Sequence, residues 1–239
     1  MQLCQEPCEH TDILRRAQEA LVERFGRIER SAKNRRDPVW TLVQGVIGAR
    51  TRSEVSNMTT DALLEKFGKW EVVASTPPEK IEKLLGRQTY PAQSARRLKA
   101  CLAALVEQRG SADLRHLSNL ATSEALDRLE TLPGVGRKIA AGVMNASTFE
   151  RPVIVIDSHH RRIAQRMGLV PPRADTNRAF AALTAILPPE WSAAEIDEHH
   201  LLMKELGRAI CRPSRADCPA CPLNKDCATG LAGGPAQSV

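Results

Sequence analysis

The chain has 239 residues, 42% hydrophobic and 26% charged, with a formal net charge of +6 and only 3% aromatics. That is enough apolar content for one or two soluble domains, and no apolar run approaches membrane-spanning length. With few rings the core must be Leu, Ile, Val and Ala, which favours helices; the basic balance, mostly arginine, suits a polyanion such as nucleic acid, although many mildly basic proteins bind nothing anionic.

In chain order, residues 12–25 predict an amphipathic helix closed by Gly26. A polar linker, SAKNRRDP, ends in Asp37 and Pro38, an N-cap and first turn for a helix over 38–48. Ser53 can cap a helix running to Gly68, and Thr76-Pro77-Pro78-Glu79 reads as a capping box opening a short helix to Leu85. Pro91 starts another, with Leu98, Cys101, Leu102 and Leu105 on one face and Gly110 at its end. Further helices are predicted over 123–131, 137–147, 158–167, 176–187 and 193–210, the last opened by a capping box of Ser192 and Glu195. The one strand-like run, Val153-Ile154-Val155-Ile156, is too short and isolated for a sheet and reads as a buried extended lead-in. Residues 228–239, rich in Gly, Ala and Pro, predict a disordered tail. The fold class is all-α.

Four of the seven cysteines, Cys211, Cys218, Cys221 and Cys227, form a C-x6-C-x2-C-x5-C pattern. Met1 to His10 is polar and acidic, so no signal peptide is expected, and in a reducing cytoplasm clustered thiols bind metal more often than they pair. Four thiolates suit a [4Fe–4S] cluster. Zinc is the competitor, but its structural sites usually bring two close pairs, and here only Cys218 and Cys221 form one. Basic residues stud this segment, and Arg212 and Arg215 are candidate phosphate contacts. Cys101 reads as a small core hydrophobe, and Cys4 and Cys8 as unconnected to the cluster.

Residues 129–144, LETLPGVGRKIAAGVM, predict two helices joined through Gly134 and Gly136, a helix–hairpin–helix that binds DNA phosphate without regard to sequence. Arg137 and Lys138 open the second helix, and Arg137, like Gly134 and Gly136, is a candidate DNA contact. Lys138 has two readings: a phosphate contact, or an amine that forms a Schiff base with a sugar carbon. Freeing such an amine near neutral pH costs about 4 kcal/mol. An exposed helix N-terminus returns only about 0.3–1 kcal/mol, so partial burial is expected to supply most of the rest. Asp157 likewise reads as an N-cap or as a catalytic carboxylate. The histidine pairs 159–160 and 199–200 do not suggest metal, since adjacent helical residues diverge; one of each pair should pack and the other meet solvent or DNA.

Taken together, LPGVGRK, then VIDSH nineteen residues after Lys138, then the four-cysteine pattern, resemble the endonuclease III family of helix–hairpin–helix DNA glycosylases. The resemblance is anchored in residues 126–227 and extends loosely back to about 38. It implies a six-helix domain over 31–150, a discontinuous cluster domain of 1–30 and 151–239, and a DNA cleft between them. It also implies that Lys138 is the Schiff-base nucleophile and Asp157 the catalytic carboxylate. The enzyme would flip an oxidised pyrimidine from duplex DNA, cut its glycosidic bond and nick the abasic strand by β-elimination, as a monomer at the bacterial nucleoid.

Two loops depart from the family pattern. Arg50, in GART, stands where a gap-filling glutamine is usual, and Thr89, in GRQTY, stands where a leucine wedge is usual, which bears on substrate range. Other readings are a monofunctional or lyase-dominant glycosylase, a non-catalytic DNA binder and a zinc-stabilised DNA-binding module.

Overall fold

A computed structural model describes residues 5–28 and 35–234, the side chains of residues 5–8 excepted. The side chains of Cys4 and Cys8 therefore lie outside the described residues. In chain order the helices are α1 (Gln5–Phe25), α2 (Pro38–Ile47), α3 (Ser53–Phe67), α4 (Trp70–Ser75), α5 (Pro78–Leu84), α6 (Pro91–Arg109), α7 (Thr122–Glu130), α8 (Arg137–Ala146), α9 (Ser158–Met167), α10 (Thr176–Ala185), α11 (Ala193–Ala209) and α12 (Ala228–Leu231). No strand occurs among the described residues, so the fold is all-α, and no described helix is long and apolar enough to cross a membrane.

The chain divides into two compact units, Asn34–Arg151 and Met1–Lys33 with Pro152–Val239. In the first, α6 packs on α2, α4 and α5, and α8 lies against α2 and α7. Where α8 crosses α2, Gly45 admits the Ile139 side chain, whose Cγ2 would lie 2.9 Å from any added Cβ. Asp37 caps α2 as the sequence predicts, its Oδ1 accepting the N–H groups of Val39 and Trp40 at 2.8 and 3.3 Å. Two capping expectations fail. Thr76 donates its hydroxyl back to the Val72 carbonyl at 2.7 Å, because α4, too short to show helical periodicity, ends just before it; α5 opens on Pro77 without a side-chain cap. Ser53 lies inside the first turn of α3, after Arg52.

In the second unit the core joins Leu14 and Leu21 of α1 to Ile163, Leu183, Leu202 and Leu206. Val153, Ile154, Val155 and Ile156 are all buried and extended without ladder partners. Burying each is worth about 1.5–3 kcal/mol, so this run fixes the entry into α9 and hence the position of Asp157. The Ser192–Glu195 capping box of α11 forms in both directions. The tail begins with order where disorder is expected: Ala228–Leu231 forms a helical turn packed on α9, with the Leu231 N–H bonded to the Cys227 carbonyl at 2.9 Å.

Candidate active site and metal centre

Helices α7 and α8 close the predicted hairpin over buried Leu129, Leu132, Val135, Ala140 and Val143. The turn is tied by Leu132 N–H to Leu129 O and by Val135 N–H to Leu132 O, each at 3.1 Å. Gly134 has φ +79°, the left-handed region that glycine enters without cost. Gly136 does not need that freedom, since its φ of −110° suits any residue. What it offers is space: a Cβ there would meet nothing within 4 Å, and α8 opens with no side-chain cap. The first N–H groups of α8 are thus left for an anion. Arg137 turns back onto the hairpin, with Nε 2.7 Å from Glu130 and Nη2 3.2 Å from Asp127. Lys138 is exposed, so the partial burial expected of it is not found in the free protein.

Asp157, half-buried at the head of α9, caps it through Oδ1, which accepts from His159 N–H at 2.8 Å and His160 N–H at 2.9 Å. Burial alone would raise its carboxyl. Electrostatic attraction from His200 and the His160 N–H, with smaller contributions from the His160 and His159 side chains, outweighs burial and holds it below the usual range. His160 is fully buried and pushed down to about 4, by burial first and then by His200. His199, also fully buried, is pushed well down, again by burial first. One member of each pair packs, as expected. The sequence gives no sign that the two pairs meet: the His160 ring lies 5.3 Å from that of His199, edge-on, and 6.3 Å from that of His200, stacked.

Arg50 and Thr89 lie in two exposed loops that are knitted together. Arg50 holds φ +55°, a conformation costing a non-glycine residue about 1–3 kcal/mol. Thr89 steadies it by donating its hydroxyl to the Arg50 carbonyl at 2.8 Å. The Arg50 guanidinium in turn reaches the Tyr90 hydroxyl at 3.2 Å and lies 5.9 Å from that ring's centre. Tyr90, which the sequence did not single out, is 43% exposed.

Cys211, Cys218, Cys221 and Cys227 line one small cavity with Ile210, Asn224 and Thr229, and none is in a disulfide. Burial, with one another's charge, pushes the Cys221 thiol up to about 11, and Cys218 is raised for the same reasons. A bound metal reverses that penalty by turning the thiols into thiolates. No group of three or more His, Cys, Asp or Glu side chains among the described residues closes on one ion. Four facing soft donors nonetheless fit a four-thiolate centre. Arg166 braces the pocket, its Nη1 3.1 Å from Cys211 Sγ and its carbonyl 3.3 Å from Cys227 Sγ. Arg212 and Arg215 are exposed beside it.

Residues 43–189 match the model of the HhH-GPD superfamily base excision DNA repair proteins. The chain is 30% identical over 208 residues to endonuclease III of Thermotoga maritima, covering 87% of this chain and 88% of that one. It is 26% identical to endonuclease III of Bacillus subtilis, covering 81% and 82%. Among solved structures it is similar to endonuclease III trapped as a covalent intermediate with DNA in an estranged-adenine complex. The TM-score is 0.73 at 24% identity, covering 93% of this chain and 98% of that one. A thermostable thymine-DNA glycosylase matches with a TM-score of 0.71 at 18% identity, covering 92% and 98%.

Proposed function

The chain belongs to the HhH-GPD superfamily of base excision DNA repair proteins, and on that footing we propose that it is a DNA glycosylase with associated lyase activity that removes oxidised pyrimidines from duplex DNA. The observation that carries this reading is the survival of both reacting groups. Lys138 is an exposed amine at the uncapped start of α8, and Asp157 is a carboxylate held ionised at the start of α9. Phosphate binding alone requires an amine but no such carboxylate. The substrate nucleotide is flipped out of the duplex. Flipping costs a few kcal/mol, least for a poorly stacked damaged base, so the lesion's own instability aids its selection. Asp157 stabilises positive charge on the deoxyribose as the base departs, and Lys138 takes the sugar as a Schiff base from which β-elimination cuts the strand. A panel of single-lesion duplexes tests the substrate class: release of oxidised pyrimidines followed by nicking supports it, and nicking of abasic DNA without base release leaves a lyase only.

The anion site at Gly134 and Gly136 grips a backbone phosphate, and Arg212 and Arg215 add contacts from the cysteine loop. Arg137, held by Glu130 and Asp127, serves chiefly to set the hairpin. Arg50, already strained and steadied by Thr89 and Tyr90, fills the gap left by the flipped base. Backbone strain persists where the surroundings impose it, often at binding sites. Arg50→Ala is expected to weaken binding to lesion duplex by about tenfold or more, read by fluorescence anisotropy. Equal affinity removes Arg50 from the interface.

The four cysteines hold a [4Fe–4S] cluster, which supplies a folding staple for residues 211–227 and no step of the reaction. The purified protein is expected to be yellow-brown, and Cys221→Ala to lose both colour and iron while α2–α8 stay helical. A colourless protein containing zinc returns the reading to a zinc-stabilised module.

A further inference from the structure

Arg137 and Arg97 both flank the glycine turn of the hairpin, and they are used differently. Arg137 is committed to α7, with Glu130 at 2.7 Å and Asp127 at 3.2 Å. Arg97 comes from the exposed side of α6, whose other side buries Ala95, Leu98, Cys101 and Leu102. Its aliphatic stem lies along Gly134: a Cβ built on that glycine would have Arg97 Cβ at 3.7 Å and Cγ and Cδ at 3.8 Å. Those are ordinary van der Waals distances, so the stem packs on the turn without crowding it. Glycine is required there by its φ of +79°, not by Arg97. Beyond Cδ, the Arg97 guanidinium meets no hydrogen-bond acceptor or carboxylate among the described residues. Nor does α6 offer one, since the residues a turn away are Gln93, Ser94, Ala100 and Cys101.

We propose that Arg97 is a DNA-phosphate contact of the hairpin: its guanidinium, carried past Gly134 on a packed stem, takes the oxygens of a backbone phosphate beside the open start of α8. The inference deepens, and rests on, the reading of that hairpin as a phosphate site. The stem is already ordered against the turn, so less side-chain freedom is lost when the head binds. The head stays in water, where a phosphate can reach it. Close by, a Cβ on Gly136 would meet nothing within 4 Å and α8 has no side-chain cap, so the approach of an anion is unobstructed. An arginine fork can meet two phosphate oxygens at once, which a single N–H cannot. Arg97 lies thirty-seven residues before Gly134, outside the LPGVGRK segment, and only the packing of α6 on the turn brings it there. A contact of this kind reads no base, so it strengthens the hold on damaged and undamaged duplex alike.

Fluorescence anisotropy across a series of KCl concentrations tests this, on an undamaged duplex and on one carrying a tetrahydrofuran abasic analogue. The proteins are wild type, Arg97→Gln, Arg97→Ala and Arg97→Lys. Glutamine keeps Cβ, Cγ and Cδ, the three atoms that lie on Gly134, and removes only the charged fork. Arg97→Gln and Arg97→Ala are expected to reduce the slope of log affinity against log salt by about 0.9, the share of one phosphate. Both should weaken binding at low salt by about tenfold, by the same factor on the two duplexes. Arg97→Lys keeps a cation and is expected to recover the slope with part of the affinity. Arg97→Gln and Arg97→Lys should melt within about 2 °C of wild type, because the guanidinium has no bond within the protein to lose. Wild-type slope and affinity in Arg97→Gln overturn the proposal, and a defect confined to Arg97→Ala then assigns the stem a packing role only. A slope in Arg97→Lys as low as that of Arg97→Gln overturns it too. A wild type that binds duplex but releases no base refutes the glycosylase reading, while the salt slopes still decide Arg97. A wild type that binds no duplex refutes the hairpin reading and this inference with it.

Discussion

Lys138→Ala abolishes the covalent adduct formed when borohydride is added to the protein on abasic-site DNA, and strand nicking falls with it to the rate of uncatalysed elimination. Borohydride reduces an imine between Nζ and the sugar C1′ to a stable amine, so the adduct reports the Schiff base itself. Lys138→Arg separates the two readings of this residue: it keeps a cation for phosphate but cannot form the imine. It is expected to bind abasic duplex nearly as well as wild type and to trap nothing. Lys138 is exposed and takes no part in capping α8. Either change should therefore move stability by no more than about 0.5 kcal/mol, and a lost adduct is not a lost fold. Because the free protein leaves the side chain in water, removal of water by bound DNA has to supply the desolvation that activates the amine. Nicking and trapping should then saturate with duplex length more sharply than binding does. An adduct of undiminished yield in Lys138→Ala assigns the imine to another amine and ends the proposed role.

What the sequence made legible is chemistry completed within a few residues. Asp37, Asp157 and Ser192 each cap a helix by a bond to a backbone group two or three positions on, so pattern alone finds them. The cysteine spacing and the glycine hairpin are local in the same sense. Failures came where a neighbour redirected a local group, as α4 draws the Thr76 hydroxyl backwards. They came too where the partner is distant in sequence. The rule that adjacent helical residues diverge describes each histidine pair, but it is silent on His160 of α9 meeting His199 and His200 of α11. Arg50 carries a positive φ with no glycine or asparagine to announce it. Arg166 lies on Cys211 across forty-five residues of chain, with nothing in the local pattern to link them.

Asp157 has two complete explanations, and one substitution separates them. Asparagine keeps Oδ1, the atom that accepts the His159 and His160 N–H groups at 2.8 and 2.9 Å, and asparagine is as good an N-cap as aspartate. Asp157→Asn therefore keeps the head of α9, forfeiting only the charge at the helix N-terminus, about 0.3–1 kcal/mol. Asp157→Ala loses the cap as well and costs about 0.5–2 kcal/mol. The wild-type carboxyl lies below its ordinary range, so its contribution is present above an unfolded value of 3.8 and is lost as the pH falls through the lower folded value. Both variants should lack that acid dependence, which urea denaturation across pH will read. If Asp157 is only a cap, base removal tracks stability, and Asp157→Asn works nearly as well as wild type. If it meets the charge that develops on the sugar, Asp157→Asn and Asp157→Ala lose activity alike, by about 10²–10⁴-fold, although one is clearly the more stable. Single-turnover rates on lesion duplex beside melting curves decide between them, because no change in folding alone gives two proteins of unequal stability the same chemical defect.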